Sequence, residues 1–345
     1  MADNASISSL EAVDEYFDML IKSRFIEMFG DLVVNPKHWT MKTIGDVAKV
    51  HLHYGSTASA VDYDSKIRYV RITDIGPDGK LNDDFKSPSV FDSTYLLNKG
   101  DILFARSGSV GVTCYYDEPY QSIFAGYLIR LIPDEKLINP EFAYQFTRST
   151  YCQGILVGSK RGGVQKNVNA KQIAAIPIPL PPMELQNEFI DFVHRVDKSK
   201  AICKQIFQSL DDLVKSRFIE MFGNKNWKKD TLESLLLPGA GLPYGIVQPG
   251  DEYDGGTPII RPVDIIGGTA DICKLKHTDP QISEAYKRTI LNGNEILVTV
   301  RATIGRTMIT DERYKGMNVT RGVAVIRYNP EKINGHFLNE YLNSF

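Results

Sequence analysis

The chain has 345 residues, long enough for two domains that each bury a core of their own. Hydrophobic residues make up 43 % and charged residues 24 %, which is globular usage and excludes a disordered chain. A formal net charge of −2 excludes a global basic field, so any nucleic-acid binding must rest on local patches or on partners.

No apolar run approaches the roughly 18 residues of a membrane span, so no membrane association is expected. The opening "MADNASISSLEAVDEYF" is acidic and polar, unlike a signal peptide. Cys114, Cys152, Cys203 and Cys273 form no C-x-x-C pair, which argues against a zinc site or a disulfide framework and fits a reducing cytoplasm.

In chain order, the first predicted element is a helix over 6–29. Its apolar positions Leu10, Val13, Phe17 and Leu20 step by three and four residues, as a helical seam does. It ends in "KSRFIEMFG" at 22–30, and the same nine letters return at 215–223. An internal repeat takes precedence in assigning a fold. "HWTMKTI" (38–44) aligns with "NWKKDTL" (226–232), and "YG" (54–55) with "YG" (244–245). "DYD" (62–64) meets "EYD" (252–254), and "RITDI" (71–75) meets "RPVDI" (261–265). "DILFARSGSVGVT" (101–113) matches "EILVTVRATIGRT" (295–307), and "INPEFAYQF" (138–146) matches "INGHFLNEY" (333–341). The order is collinear throughout.

Between the helices, "IRYVRI", "DILFA" and "YLIRLI", and later "EILVTV" and "VAVIRY", read as short strands separated by Gly, Pro and Asn turns. "NPEFAYQFTRST" reads as a short helix capped by Asn139 before Pro140. The next segment, "GSKRGGVQKNVNAK" (158–171), is basic and free of acids, with Lys160, Arg161, Gln165, Lys166 and Asn167 among its residues. Its glycines permit close approach to a phosphate, while Arg and Gln match base edges. A solvated loop explains the same composition. Two strand ends carry Arg106, Ser107, Ser109 and Arg301, Thr303, Arg306 at matching tips, which suit either a binding surface or plain turns.

"IPIPLPP" then leads into one long helix, predicted over 183–221 and about 58 Å in length. Phe189, Phe192, Val196, Ser199, Cys203, Ile206, Leu210 and Leu213 alternate steps of three and four, the a/d pattern of a coiled coil. The seam of 6–29 falls in the same phase. The fold expected is α+β, two mixed α/β domains separated by long antiparallel helices, with a pseudo-two-fold repeat. The boundaries expected are 1–30 for a half-helix, 31–182 and 224–345 for the domains, and 183–223 for the spacer helix. The second domain is expected to be incomplete, because 224–345 contains no counterpart of the basic loop, the Pro-rich lead-in or the closing helix.

Common catalytic patterns are missing from the sequence. No G-x-x-x-x-G-K-[ST] and no G-x-S-x-G is present. "GAGLPYG" (239–245) opens no helix and reads as a loop, and His51 and His53 have no third ligand nearby.

The combination of "RITDI", "KGDILFARSGSVG", "GGVQKNVN" and "IPIPLPPMELQNEF", running into a heptad helix that ends "KSRFIEMFG", resembles the DNA-specificity subunit of type I restriction-modification systems. The resemblance implies two target-recognition domains on an antiparallel pair of helices, each reading half of a bipartite double-stranded DNA sequence. It implies no catalysis and no cofactor on this chain. S-adenosylmethionine belongs to docked modification (methyltransferase) subunits, and ATP and Mg to a restriction/translocase subunit. Against the family pattern, the chain resembles a circularly rearranged and truncated version. A rival expectation is an assembly or silent-cassette fragment that self-associates through Phe189, Phe192 and Val196 on an unpaired half of the long helix.

Overall fold

A computed structural model of the chain describes residues 10–108, 110–158, 167–223, 227 and 229–344, without the side chains of 10–12 and 157–158. These fall into two units, one within Tyr16–Ser199 and one within Met1–Glu15 and Lys200–Phe345, so the division cuts both long helices.

The first unit begins in helix α1 (Leu10–Phe29). The helix stops because Gly30 turns left-handed at φ +80° and donates its N–H to the Ile26 carbonyl at 2.7 Å. Nine strands follow: β1 (Met41–Thr43), β2 (His53–Tyr54), β3 (Ala60–Asp62), β4 (Arg68–Val70), β5 (Lys86–Pro88), β6 (Ile102–Ala105), β7 (Thr113–Tyr115), β8 (Ser122–Phe124) and β9 (Leu128–Leu131). The main sheet runs β2-β9-β6-β7 and is antiparallel, while β4 pairs with β8 in parallel. β6 and β9 are buried along their whole length, which is why "ILFA" and "LIRL" read as near-continuous apolar runs. Helices α2 (Pro140–Arg148), α3 (Thr150–Gly158) and α4 (Ala170–Ala174) then cover the sheet's neighbourhood, and β10 (Pro177–Pro179) closes antiparallel on β1. Asn139 caps α2 as expected, its side-chain oxygen accepting from the N–H groups of Glu141 and Phe142.

The long helix α5 (Met183–Phe218) continues into one wider π-helical turn, Ile219–Gly223. The second unit then carries β11 (Thr257–Ile260), β12 (Lys276–Thr278), α6 (Pro280–Ala285), β13 (Ile296–Thr299), β14 (Thr307–Ile309), β15 (Asn318–Val319), β16 (Val323–Ile326) and α7 (Gly335–Asn343).

Each unit repeats the same construction. The order β7-β6-β9 returns as β14-β13-β16, and the parallel pair β4–β8 returns as β11–β15. The motifs that carry the repeat have structural work. In "YG", a Cβ on Gly55 would lie 2.4 Å from the Ala125 carbonyl oxygen, and one on Gly245 would lie 1.8 Å from that of Val319. Only glycine lets these backbones approach. In "KGDI" and "GNEI", a buried carboxylate ties down the turn that enters the central strand. Asp101 accepts from Asn98 N–H at 2.6 Å and pairs with Arg130, both nearly fully buried. Glu295 accepts from the N–H groups of Asn292 and Gly293 at 2.8 and 3.0 Å and meets Arg327 at 3.3 Å. In "RITDI" and "RPVDI" Arg71 grips Asp74 and Arg261 grips Asp264 across a short 3-10 turn, and Arg71 also reaches Asp84 at 2.8 Å.

The helix seams correct one expectation. In the first unit Phe25 and Phe29 each meet Phe189 at 5.5 Å between ring centres, and Arg24 reaches Glu188 at 3.3 Å. In the second, Asp14 bridges Lys200 and Lys204 at 3.0 and 2.7 Å. Within each unit α1 thus packs against α5. Phe189 and Val196 are therefore buried, and Phe192 is part-covered by the Arg24 guanidinium at 5.6 Å. These are not the free residues that the sequence pattern suggested. The bare stretch lies further along, at Ile202, Ile206, Leu210, Leu213 and Val214. On α1, Val13 is buried, Phe17 part-buried and Leu20 exposed; Leu10 opens the helix, and its side chain lies outside the described residues. Cys203 is part-buried.

Candidate nucleic-acid interface

The two strand tips have the same backbone course. Between β6 and β7 the chain turns left-handed at Gly108 (φ +66°) and Gly111 (φ +98°). Between β13 and β14 it does so at Ala302 (φ +61°) and Gly305 (φ +89°). Ala302 holds this conformation despite its Cβ because the loop around it is closed by hydrogen bonds. Gly305 N–H donates to the Thr299 carbonyl at 2.9 Å, and Thr299 Oγ1 donates to the Thr303 carbonyl.

The shared left-handed positions and the strand pairing fix which residues correspond. Ser107 answers to Arg301, and Arg106 answers to Val300, so the arginines at the two tips are offset by one position. Arg301 is exposed at its tip. Thr303 Oγ1 donates to the Pro262 carbonyl at 3.2 Å, and Arg306 Nη1 donates to the Ile265 carbonyl at 3.1 Å. The second tip is thereby anchored to the "RPVDI" turn, and Ile304 projects from it 78 % exposed.

The first tip is anchored differently. Gln153 on α3 donates from Nε2 to the Gly111 and Thr147 carbonyls, both at 2.7 Å. The Arg106 N–H donates to the Tyr127 carbonyl at 3.1 Å, and the Arg106 carbonyl accepts from Val168 N–H at 2.9 Å. That last bond joins the tip to the end of the basic segment, next to exposed Asn167. Ser107 is part-exposed beside it. The Arg106 guanidinium lies over the Tyr54 ring at 4.9 Å, and Tyr54 Oη accepts from Ala170 N–H at 3.1 Å. Ser109, Lys160, Arg161, Gln165 and Lys166 lie outside the described residues.

Two candidate segments distant in sequence are thus brought together at Arg106 and Asn167–Ala170. Sequence reasoning missed Tyr54, Tyr127 and Gln153. The repeated "YG" pointed to Tyr54 and Tyr244, but it reads as a glycine requirement. Tyr127 and Gln153 have no sequence signal. Burial pushes the Cys114 and Cys152 thiols up to about 12. Among the described residues no helix is long and apolar enough to cross a membrane, and no group of three His, Cys, Asp or Glu is placed to hold a metal.

A mixed α/β strand arrangement thus occurs twice in the chain, each time with a polar strand tip. The chain belongs to the family described as type I restriction modification DNA specificity domain, whose pattern matches residues 36–211, about half of the chain. It is 27 % identical over 278 residues to the type I restriction enzyme EcoBI specificity subunit of Escherichia coli, covering 72 % of this chain and 58 % of that protein. It is 26 % identical over 219 residues to the EcoKI specificity subunit of Escherichia coli strain K12, covering 57 % of this chain and 46 % of that protein. The chain therefore spans about half the length of these relatives. A solved structure, described as the basis of complex assembly and conformational transition of the type I R-M system, superposes with a TM-score of 0.48 at 17 % identity. The superposition covers 90 % of this chain and 80 % of that one.

Proposed function

We propose that this chain is the DNA-reading component of a type I restriction-modification complex and performs no chemistry itself. Residues 31–182 and 224–345 act as its two recognition domains, each meeting one half of a bipartite duplex target. The segments 1–30 and 183–223 pair as an antiparallel coiled coil on which modification methyltransferase subunits dock. Those subunits bring S-adenosylmethionine, and a restriction/translocase subunit brings ATP and Mg. The observation that carries this reading is one strand-tip construction built twice with different tip residues, as two half-sites of different sequence require.

In this reading the DNA-facing groups of the first domain are Arg106, Ser107 and Ser109 with Lys160, Arg161, Gln165, Lys166 and Asn167. Those of the second are Arg301, Thr303 and Arg306. Neutralising Lys160, Arg161 and Lys166 together to Gln is expected to weaken duplex binding and lower the salt slope by about one for each phosphate no longer neutralised. A titration of binding against salt concentration checks this, and an unchanged slope rules those residues out.

The bare apolar stretch at Ile202, Ile206, Leu210 and Leu213 favours a second reading, a fragment that self-associates without reading DNA. Sedimentation of the wild type and of Leu210→Asp separates the two. A dimer that dissociates in the variant, with no DNA bound by either protein, supports the second reading.

A further inference from the structure

Arg106 is held in an unusual way for an exposed strand end. Its N–H and its carbonyl are both engaged, the first by Tyr127 at 3.1 Å and the second by Val168 at 2.9 Å, so the main chain cannot swing. Its guanidinium lies 4.9 Å from the centre of the Tyr54 ring. That ring is fixed in turn by the hydrogen bond from Ala170 N–H to its hydroxyl, 3.1 Å long. Among the described residues no carboxylate pairs with Arg106, and its Nε is buried without an acceptor. Three other arginines of the first unit are paired with carboxylates. Arg71 is taken by Asp74 and Asp84, Arg130 by Asp101, and Arg24 by Glu27 and Glu188. Arg68 also lies over a ring, that of Phe85 at 4.1 Å, but it is buried and donates to the Asn82 carbonyl, whereas Arg106 is part-exposed beside a Tyr127 that is 64 % exposed.

A guanidinium stacked on an aromatic plate loses little further freedom when its terminal nitrogens find acceptors. The acceptor pair that fits a planar fork in duplex DNA is O6 and N7 of guanine, in the major groove. We infer that Arg106 is a base-reading arginine that takes a guanine edge in the half-site met by the first unit, with Tyr54 as the positioning residue that aims it. This rests on the DNA-reading function proposed above. The second unit lacks the device. Strand pairing puts Tyr244 in the place of Tyr54, opposite Ala324 as Tyr54 is opposite Ile129, but Val300 stands where Arg106 would be. That position in the second half-site therefore carries no such guanine requirement.

The test is selection of sequences from a random duplex pool by the full chain. The wild type is expected to enrich a bipartite sequence with guanine at one position of one half. Arg106→Ala is expected to lose the preference at that position by about tenfold or more, leaving the other positions as they were. Arg106→Gln is expected to move the preference there toward adenine, whose N6 and N7 suit an amide. Tyr54→Leu is expected to blunt the same preference while Arg106 remains. An Arg106→Ala protein that enriches the wild-type sequence unchanged overturns the inference. So does a drop in affinity spread evenly over all sequences, which is the mark of a phosphate contact. If Arg106→Ala fails to fold, the Gln variant decides on the same readout. A wild type that enriches no sequence removes the DNA-reading function itself, a failure distinct from that of Arg106.

Discussion

The two copies of "KSRFIEMFG" end in the same aromatic pair but in different surroundings. In the first unit Phe25 and Phe29 pack on Phe142 at 6.1 and 5.1 Å, with Trp39 at 6.4 Å from Phe29. In the second, Phe218 and Phe222 pack on Phe337 at 5.4 and 5.0 Å, with Trp227 at 6.3 Å from Phe222. The first cluster takes in a ring from α5, Phe189, in edge contact with Phe25, Phe29 and Phe142. With it, Phe29 and Phe142 are fully buried; in the second cluster Tyr341 and Trp227 remain about half exposed. The nine residues therefore form a latch between a helix end and the short helix of the domain beside it. Helix pairing seals that latch in one unit.

The largest expected effect follows from that seal. Phe189→Ala should destabilise the first unit by roughly 3–5 kcal/mol, since it opens a fully packed aromatic site. Phe222→Ala, in the open cluster, should cost about 1–2 kcal/mol because less area is returned to water. Urea unfolding of both variants gives the ratio, and equal costs would erase the distinction between sealed and open latches.

The tips offer a smaller contrast. Val110 packs against the first unit's core, while its counterpart Ile304 is 78 % exposed. Val110→Ser should cost about 1–2 kcal/mol, and Ile304→Ser should stay within roughly 0.5 kcal/mol. Thermal melting of the two proteins compares them directly.

The smallest effect is acid sensitivity of the helix contact at Asp14. Burial acts to raise its carboxyl, but the ammonium groups of Lys204 and Lys200 outweigh it and hold the carboxyl below the usual value of 3.8. A lowered folded-state value means this stabilisation is complete above pH 3.8 and disappears as pH falls through the folded value. Asp14 is more than a third exposed, so the contribution should be under about 1 kcal/mol. The stability difference between wild type and Asp14→Asn, followed from neutral to acid pH, should narrow only in that window.

Much of the architecture was legible from the chain. The mixed α/β class, the capped helix after Asn139 and the buried runs "ILFA" and "LIRL" all follow from periodicity and capping, which are local properties. Register was not legible. Antiparallel helices are expected from the sequence, yet the half of α5 carrying Phe189 and Val196 reads there as the free one, because both halves of α5 carry apolar positions at the same spacing and nothing within α5 marks the covered one. The Arg106–Tyr54 stack escaped for a related reason. Its two residues are brought together only by the pairing of β2 with β9 and of β9 with β6. The carboxylates of Asp101 and Glu295 were visible as repeated letters, but their role as turn anchors appears only when the buried N–H groups around them are counted.

Mapping methylated adenines in cells that carry this chain together with type I modification subunits tests the proposed role of the chain in sequence specificity most directly. One bipartite sequence is expected, of which only one half changes when residues 31–182 are exchanged for those of a relative. Methylation without sequence preference, or a sequence that is unchanged by the exchange, would contradict it.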